Sequence, residues 1–258
     1  DRPGRIKPCG GAIPPAAIEE FAIPPELLVA RIQSARMVSP ASREVDMPID
    51  GGFVGMVDRE QFDPWLRQRA QAAGAILCEG RFEGLSYTDS GQLRVRYRCE
   101  GSDDHQEREI SAGVLIGADG AKSSVARLAM PRHEEVPQVS AYHEIIETPP
   151  DFDGTRCDVW YQGRLSPDFY AWVFPHGDRL SVGVGTAERG FSMRGAVREL
   201  RETLGLQDQA TVRCEGAPIP LRPRKRWDDG RGVLLAGDAA GVVAPASGEG
   251  IYYAMTGG

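Results

Sequence analysis

The 258-residue sequence predicts an α/β fold, α+β overall, in which one discontinuous α/β domain is interrupted by a mainly antiparallel sheet domain. Three observations lead there. Apolar strands run into Gly-Asp pairs both at Val114 to Gly120 and at Gly232 to Asp238, and each is followed by helix-forming sequence. Between them, from about Pro131 to Trp227, the chain changes character to short strand-like pieces punctuated by proline. The last segment then returns to the style of the first, so the first and last thirds build one unit and the middle builds the other.

The elements follow in order. Asp58 and Gln61 have the spacing of a capping box, and a helix is expected from there to about Ala73, with Asp63-Pro64 as a second start. Phe62, Leu66, Ala70 and Ala73 share one helical face, and Gly74 ends the run. Ala75 to Cys78 reads as a buried strand. Leu93, Val95, Tyr97 and Cys99 alternate with Arg94, Arg96 and Arg98 after the turn Asp89-Ser90-Gly91, the pattern of a half-exposed strand. A polar loop, Gly101 to Arg108, leads into a further strand, and a helix is expected from Ser123. The middle supplies strands near Asp158–Gln162, Phe169–Phe174 and Leu180–Gly185, and a helix near Ala196–Leu204. The expected division is 1–12, 56–130 and 230–258 for the discontinuous domain, with 13–55 and 131–229 for the inserted one.

Composition narrows the function. A net charge of −7 argues against a nucleic-acid partner, which needs clustered Lys and Arg. The one basic run, Arg222 to Arg226, is followed at once by Asp228 and Asp229 and reads as a solvated loop. Five dispersed cysteines without a CxxC pair suggest reduced thiols and a cytoplasmic setting, and no set of residues has metal-ligand spacing. No apolar run is long enough to span a bilayer, which leaves room for peripheral contact with a membrane. His133, His143 and His176 sit in no motif and read as surface or turn residues. Glu134-Glu135 and Asp103-Asp104 read as solvated pairs. The chain opens at Asp1 without Met and closes inside helix-forming sequence, so a piece of a longer protein is expected.

Two stretches point to chemistry. Leu235 to Gly241 delivers Asp238 at a strand end among small residues, followed by Ser247-Gly248-Glu249-Gly250 opening a helix. Small residues let a ligand approach the backbone, and helix N–H groups favour negative charge. In Lys7-Pro8-Cys9-Gly10-Gly11, proline fixes the backbone before the thiol and two glycines allow a tight path after it. Cys9 reads either as a buried structural thiol or as a residue set against a flat ring. Tyr170, Trp172 and Phe174, spaced by two, share one strand face, the usual mark of a core.

These motifs carry a resemblance that spans essentially the whole chain. Gly237-Asp238-Ala239-Ala240-Gly241 resembles the second flavin motif of the para-hydroxybenzoate-hydroxylase-like flavoproteins, and Gly117-Ala118-Asp119-Gly120 resembles their DG motif. Pro167-Asp168-Phe169-Tyr170-Ala171-Trp172-Val173-Phe174-Pro175 matches the PxxYxWxFP pattern of geranylgeranyl reductases. Lys7 to Pro14 and Ser247 to Tyr252 resemble their photosynthetic branch. The resemblance implies a Rossmann-like FAD-binding domain and an inserted substrate domain. It also implies an NADPH-dependent flavoprotein that saturates the C=C bonds of a geranylgeranyl group, as free diphosphate or as (bacterio)chlorophyll ester. A flavin monooxygenase on the same fold and a non-catalytic fragment are the alternatives.

By the same resemblance Asp1, Cys9, Gly10, Arg59, Phe82, Asp119, Gly120, Asp238, Gly248, Gly250 and Ile251 contact FAD. Cys9 is the catalytic residue, and Tyr170, Trp172 and Phe174 wall a long-chain isoprenoid substrate. No metal and no nucleic acid are implied, and the setting is cytoplasmic, peripheral at the photosynthetic membrane. The family's GxGxxG turn is absent here, so this chain is expected to bind FAD poorly by itself.

Overall fold

The computed structural model describes residues 6–99, 107–130 and 135–258. Asp1, Asp103-Asp104, His133 and Glu134 therefore lie outside the described residues. Two compact units form, one from Ile6–Pro64 with Gln138–Ile219 and the other built chiefly of Trp65–Pro137 with Pro220–Gly258. Residues 6–12 and 56–64 thus sit with the large sheet, and 135–137 and 220–229 with the other unit. Strand pairing is the reason for the first: Ala12 lies opposite Met56.

In chain order β1 (Ala12–Ile13) precedes α1 (Pro15–Glu20), where Pro15 takes a first-turn position that needs no N–H bond. Then come β2 (Leu28–Ile32), β3 (Ser34–Val38), β4 (Glu44–Pro48) and β5 (Val54–Val57). The helix expected after Asp58 is α2 (Arg59–Ala72). Asp58 caps it, its Oδ1 accepting from the Glu60 N–H at 3.0 Å. Pro64 lies inside α2, so Asp63-Pro64 is not a helix start; Asp58 already satisfies the first turn.

Gly74, at φ +97°, ends the helix. The expected buried strand at Ala75 to Cys78 does not form: Ile76 is 88% exposed and Leu77 45%. An apolar run becomes a buried strand only where a ladder partner and a covering layer exist, and residues 75–79 pair with no described strand.

A meander follows, β6 (Gly80–Tyr87), β7 (Leu93–Cys99) and β8 (Glu107–Ala112), then β9 (Leu115–Gly117) and α3 (Ser124–Ala129). The middle comprises β10 (Gln138–Glu147), β11 (Arg156–Trp160), β12 (Ala171–His176), β13 (Arg179–Thr186), α4 (Met193–Thr203) and β14 (Thr211–Pro220). The chain ends through β15 (Val233–Leu235), a tight turn at Gly237–Ala240 and α5 (Ile251–Gly257).

In the first-named unit seven strands form one sheet in the order β14-β10-β13-β12-β11-β3-β4, beside a small β1-β5-β2 sheet. Neighbours from β10 to β11 run antiparallel, and β11 pairs parallel with β3. Side chains alternate across a strand, so Ala171 and Val173 of β12 join Leu180, Val182 and Val184 of β13 on one face. Ala196, Val197 and Leu200 of α4, at helical spacing, close that core. Tyr170, Trp172 and Phe174 belong to the opposite face. In the other unit Leu93, Val95, Val125, Val233 and Leu235 form a core between the meander, α3 and the strand pair β9-β15.

Candidate functional site

In the large-sheet unit the loop at Cys9 is pinned by its glycines. Gly11 has φ +71°, and a Cβ there would fall 2.5 Å from the Val57 carbonyl and 2.7 Å from His176 Nε2. Only glycine fits. A Cβ on Gly10 would meet the Phe174 ring at 3.2 Å, so the loop lies against the end of the aromatic stripe. Cys9 is half-buried, and its sulfur accepts the Gly11 N–H at 3.3 Å.

Arg59, the first residue of α2, joins this loop. Its Nε donates to Asp63 Oδ1 at 2.7 Å, one helical turn on, while Lys7 Nζ sits 3.5 Å from the other carboxylate oxygen. Burial alone would lower the pKa of the guanidinium. The sulfur of Cys9 and the carboxylate of Asp63 outweigh burial and raise it above its ordinary value, so Arg59 is a fixed positive charge. A cleft of about 230 Å³ opens beside these groups, lined by Lys7, Cys9, Asp58, Arg59, His176 and Arg213 among others.

His176 is half-buried at the end of β12, its Nδ1 3.2 Å from the Phe174 carbonyl, and burial lowers its pKa. The expectation of a surface or turn position fails most clearly for His143. It is 4% exposed in β10, with Nδ1 2.8 Å from Ser181 Oγ and Nε2 3.1 Å from Glu215 Oε2. Its partners come from other strands, so sequence around position 143 holds no trace of them.

The aromatic stripe forms as spaced. Tyr170 and Trp172 meet edge-on at 5.8 Å, Trp172 and Phe174 stack at 6.0 Å, and Phe169 stacks on Tyr170 at 4.2 Å. Tyr170 and Trp172 are buried and Phe174 is half-buried, so these rings are a packed wall and not an open surface. Burial, with Tyr161 and Cys9 nearby, pushes the Tyr170 phenol well above its ordinary pKa and keeps it protonated.

The other unit gathers a second group at two strand ends. β9 and β15 are adjacent and parallel, with Gly117 opposite Leu235, and the Ala236 N–H donates to the Gly117 carbonyl at 3.0 Å. The loops Ala118-Asp119-Gly120 and Gly237-Asp238 therefore leave neighbouring carboxyl ends, where ligands bind in parallel α/β sheets. Asp119 turns its carboxylate to α3, accepting from the N–H groups of Ser124 (2.7 Å) and Val125 (3.2 Å) and from the Ser123 hydroxyl (2.5 Å). Gly120 has φ +83°, and the space around the position of a Cβ there is open to 4 Å.

Asp238 Oδ1 lies 3.5 Å from where a Gly250 Cβ would be, and Ile251 begins α5, which packs on the Gly237–Ala240 turn. Gly248 has φ +69°. Between these glycines Glu249 accepts the Tyr252 N–H through Oε1 at 2.9 Å, while its buried Oε2 has no hydrogen-bond partner among the described residues and burial raises its pKa. Phe82 is half-buried in β6 against the core of this unit.

The basic run at 222–226 is not simply a solvated loop. Arg224 is buried, and its Nε donates to the Ala239 carbonyl at 2.8 Å while its N–H donates to that of Ala240. It holds the turn that presents Asp238. Neither Arg224 nor Glu249 was legible as a site residue, because a cation in a polar loop and an acid between glycines look solvated in one dimension. Asp63 did leave a signal, its i,i+4 spacing from Arg59.

No protein-family model matches the chain. It is 54% identical over 261 residues to the geranylgeranyl diphosphate reductase of Rhodobacter capsulatus, spanning 100% of this chain and 66% of that protein. It is 36% identical over 262 residues to the geranylgeranyl diphosphate reductase of Synechocystis sp., spanning 96% of this chain and 63% of that one. The chain thus spans less than two thirds of the length of these curated relatives. The crystal structure of a geranylgeranyl bacteriochlorophyll reductase-like protein from Thermoplasma acidophilum superimposes with a TM-score of 0.86 at 22% identity, over 96% of this chain and 65% of that one, a likeness of fold. At 54% identity over its full length, with the Cys9 loop and the aromatic stripe joined as described, the chain belongs to the geranylgeranyl reductase family.

Proposed function

We propose that this chain is part of an NADPH-dependent flavoprotein that saturates C=C bonds in a geranylgeranyl group, carried as the free diphosphate or as a (bacterio)chlorophyll ester. The observation that carries the reading is the seat of Gly10 against the Phe174 end of the aromatic stripe, with Cys9 next to it in the chain and Arg59 interacting with Cys9. It joins a thiol and a fixed cation to an apolar wall, which suits a reaction on a greasy chain beside a polar cofactor. The names of the relatives agree with it.

FAD fits the residues present. Two loops at adjacent parallel strand ends, the open space at Gly120 and the glycines around Glu249 leave backbone accessible to a dinucleotide. Asp119, Gly120 and Asp238 would take its polar chain, Gly248, Gly250 and Ile251 the edge of its ring, and Phe82 a flanking contact. Bound flavin supplies the electron pair that reduces the alkene, with NADPH as its source.

The chain's own groups then bind, orient and protonate. Phe174, the half-buried end of the stripe, meets the isoprenoid, and Tyr170 and Trp172 packed behind it exclude water, which matters because an isolated alkene is a poor electrophile and needs close placement. Arg59 keeps its charge at every accessible pH and anchors negative charge beside the loop. Cys9 Sγ is the group assigned to hand a proton to the second alkene carbon. No helix among the described residues is long and apolar enough to cross a membrane, so a membrane-held pigment substrate would be met at the surface.

The test uses the chain and a version extended to the length of its relatives, each with FAD, NADPH and geranylgeranyl diphosphate under anaerobic conditions. Product mass should rise in steps of two hydrogens, and Cys9→Ala should lower turnover at unchanged flavin content. No two-hydrogen gain on the diphosphate or on geranylgeranylated pigment, with a gain of one oxygen atom once air is admitted, would establish a monooxygenase and sink the reductase reading.

A further inference from the structure

The large sheet carries a polar line across its aromatic face that the proposed chemistry does not use. Trp172 (β12), Ser181 (β13), His143 (β10) and Glu215 (β14) come from four successive neighbours in the sheet order. The indole Nε1–H donates to Ser181 Oγ at 3.1 Å, and the same oxygen lies 2.8 Å from His143 Nδ1. His143 Nε2 lies 3.1 Å from Glu215 Oε2, and Glu215 Oε1 is 2.8 Å from Arg213 Nε. Arg213 Nη2 in turn is 3.9 Å from Asp58, so the line ends at the cleft beside Cys9.

The chemistry of the groups fixes the two ends of the line. An indole N–H is a donor only, and an ionised carboxylate is an acceptor only. Burial would raise the pKa of Glu215, but His143 and Arg213 outweigh it and hold the carboxylate below its ordinary value, hence ionised. His143 Nε2 must then carry hydrogen to donate to Glu215. Nδ1 accepts from the Ser181 hydroxyl in the neutral ring and donates to it in the imidazolium, and in both the Ser181 oxygen receives the indole N–H and bridges the two rings.

Gly183 makes the geometry feasible. It stands directly opposite both Trp172 and His143, and a Cβ there would meet the indole at 2.3 Å and His143 Cβ at 2.7 Å. The indole lies over the space a side chain would fill, and Ser181, two residues before on the same face, ties it down.

We propose that Ser181, His143 and Glu215 are positioning residues, a hydrogen-bond relay that fixes the buried Trp172 indole behind Phe174, the half-buried ring of the wall that meets the isoprenoid chain; the substrate part rests on the reductase reading. The relay sets the plane of the indole, and the Phe174 ring stacked on it sets where a flat alkene segment can lie.

The ¹⁵N-labelled chain tests this without any turnover assay. Its four tryptophans give four indole N–H signals, and that of Trp172 is the one lost in Trp172→Phe. In Ser181→Ala the Trp172 signal should shift and its hydrogen exchange should accelerate at least about fivefold, the factor for one net hydrogen bond. Glu215→Gln, three strands away, should shift the same signal, while those of Trp65 and Trp227 stay in place and report an intact fold. A Trp172 signal unmoved by Glu215→Gln overturns the relay, even if Ser181→Ala fails to fold. Added geranylgeraniol should move the Trp172 signal in the parent chain. Relay coupling without a response to geranylgeraniol would overturn the substrate part and the reading beneath it, and leave the relay standing.

Discussion

Gly183→Ala probes the packing beneath the aromatic wall. The glycine lies in β13 with an extended backbone that alanine adopts without strain, so the methyl group's surroundings decide the outcome. It would sit 2.3 and 2.5 Å from two indole carbons of Trp172 and 2.7 Å from His143 Cβ. Both side chains are buried and tied to Ser181, so neither can step aside without losing a hydrogen bond. Overpacking of this kind costs about 1–3 kcal/mol, a lost hydrogen bond about 1, and the stiffer unfolded chain returns about 0.4–1. The expected net loss is about 1–3 kcal/mol, read as a lower urea midpoint at constant slope.

Gly163→Ala in the same unit is the control, because nothing lies within 4 Å of its Cβ position. It should be neutral or slightly stabilising. In a Trp172→Leu background the indole carbons are gone, and the cost of Gly183→Ala should shrink by about 1 kcal/mol, the coupling expected of touching residues. A Gly183→Ala chain as stable as the parent, or an equal cost in both backgrounds, would refute the packing argument.

Two further outcomes follow from buried charge. Arg201 of α4 pairs with Glu144 at 2.5 Å and donates to the Gln209 carbonyl at 2.6 Å and the Thr211 hydroxyl at 2.8 Å. Arg201→Met leaves a largely buried carboxylate without its partner and should cost about 3–5 kcal/mol in urea unfolding; a loss no larger than that of exposed Arg189→Met would contradict it. Glu215 titrates below its unfolded value, so its stabilisation is present in full above the ordinary carboxylate pKa of about 4.3 and fades as pH falls through the lower folded value. Urea midpoints of the parent should therefore drop more steeply on acidification below about pH 5 than those of Glu215→Gln; parallel curves would mean that Glu215 is not held ionised.

Where local pattern decides structure, the sequence is a sufficient guide. Asp58 capping α2, Ser123 capping α3 and the alternation of β7 are interactions among residues a few positions apart, and all three form. The aromatic stripe is a matter of strand period, and its rings share a face. The same local signal misleads at Ala75 to Cys78, because apolar sequence does not say whether a partner strand will be there. His143 misleads in the opposite sense, since its burial depends on Ser181 and Glu215, 38 and 72 residues further on.

By itself the sequence determined the α/β character, the strand-end acids Asp119 and Asp238, the Cys9 loop and the family resemblance. The first three are written in composition, period or spacing, and the resemblance lies in the motifs that carry it. Only the tertiary structure decided that the Cys9 loop rests on Phe174, that Arg59 is locked by Asp63, that Arg224 holds the turn at Asp238 and that Trp172 is tied to Glu215 across four strands. The reason is physical. Hydrogen bonds and contacts between distant residues depend on sheet order and register, which are set by the burial of whole faces, and no single stretch of sequence encodes them.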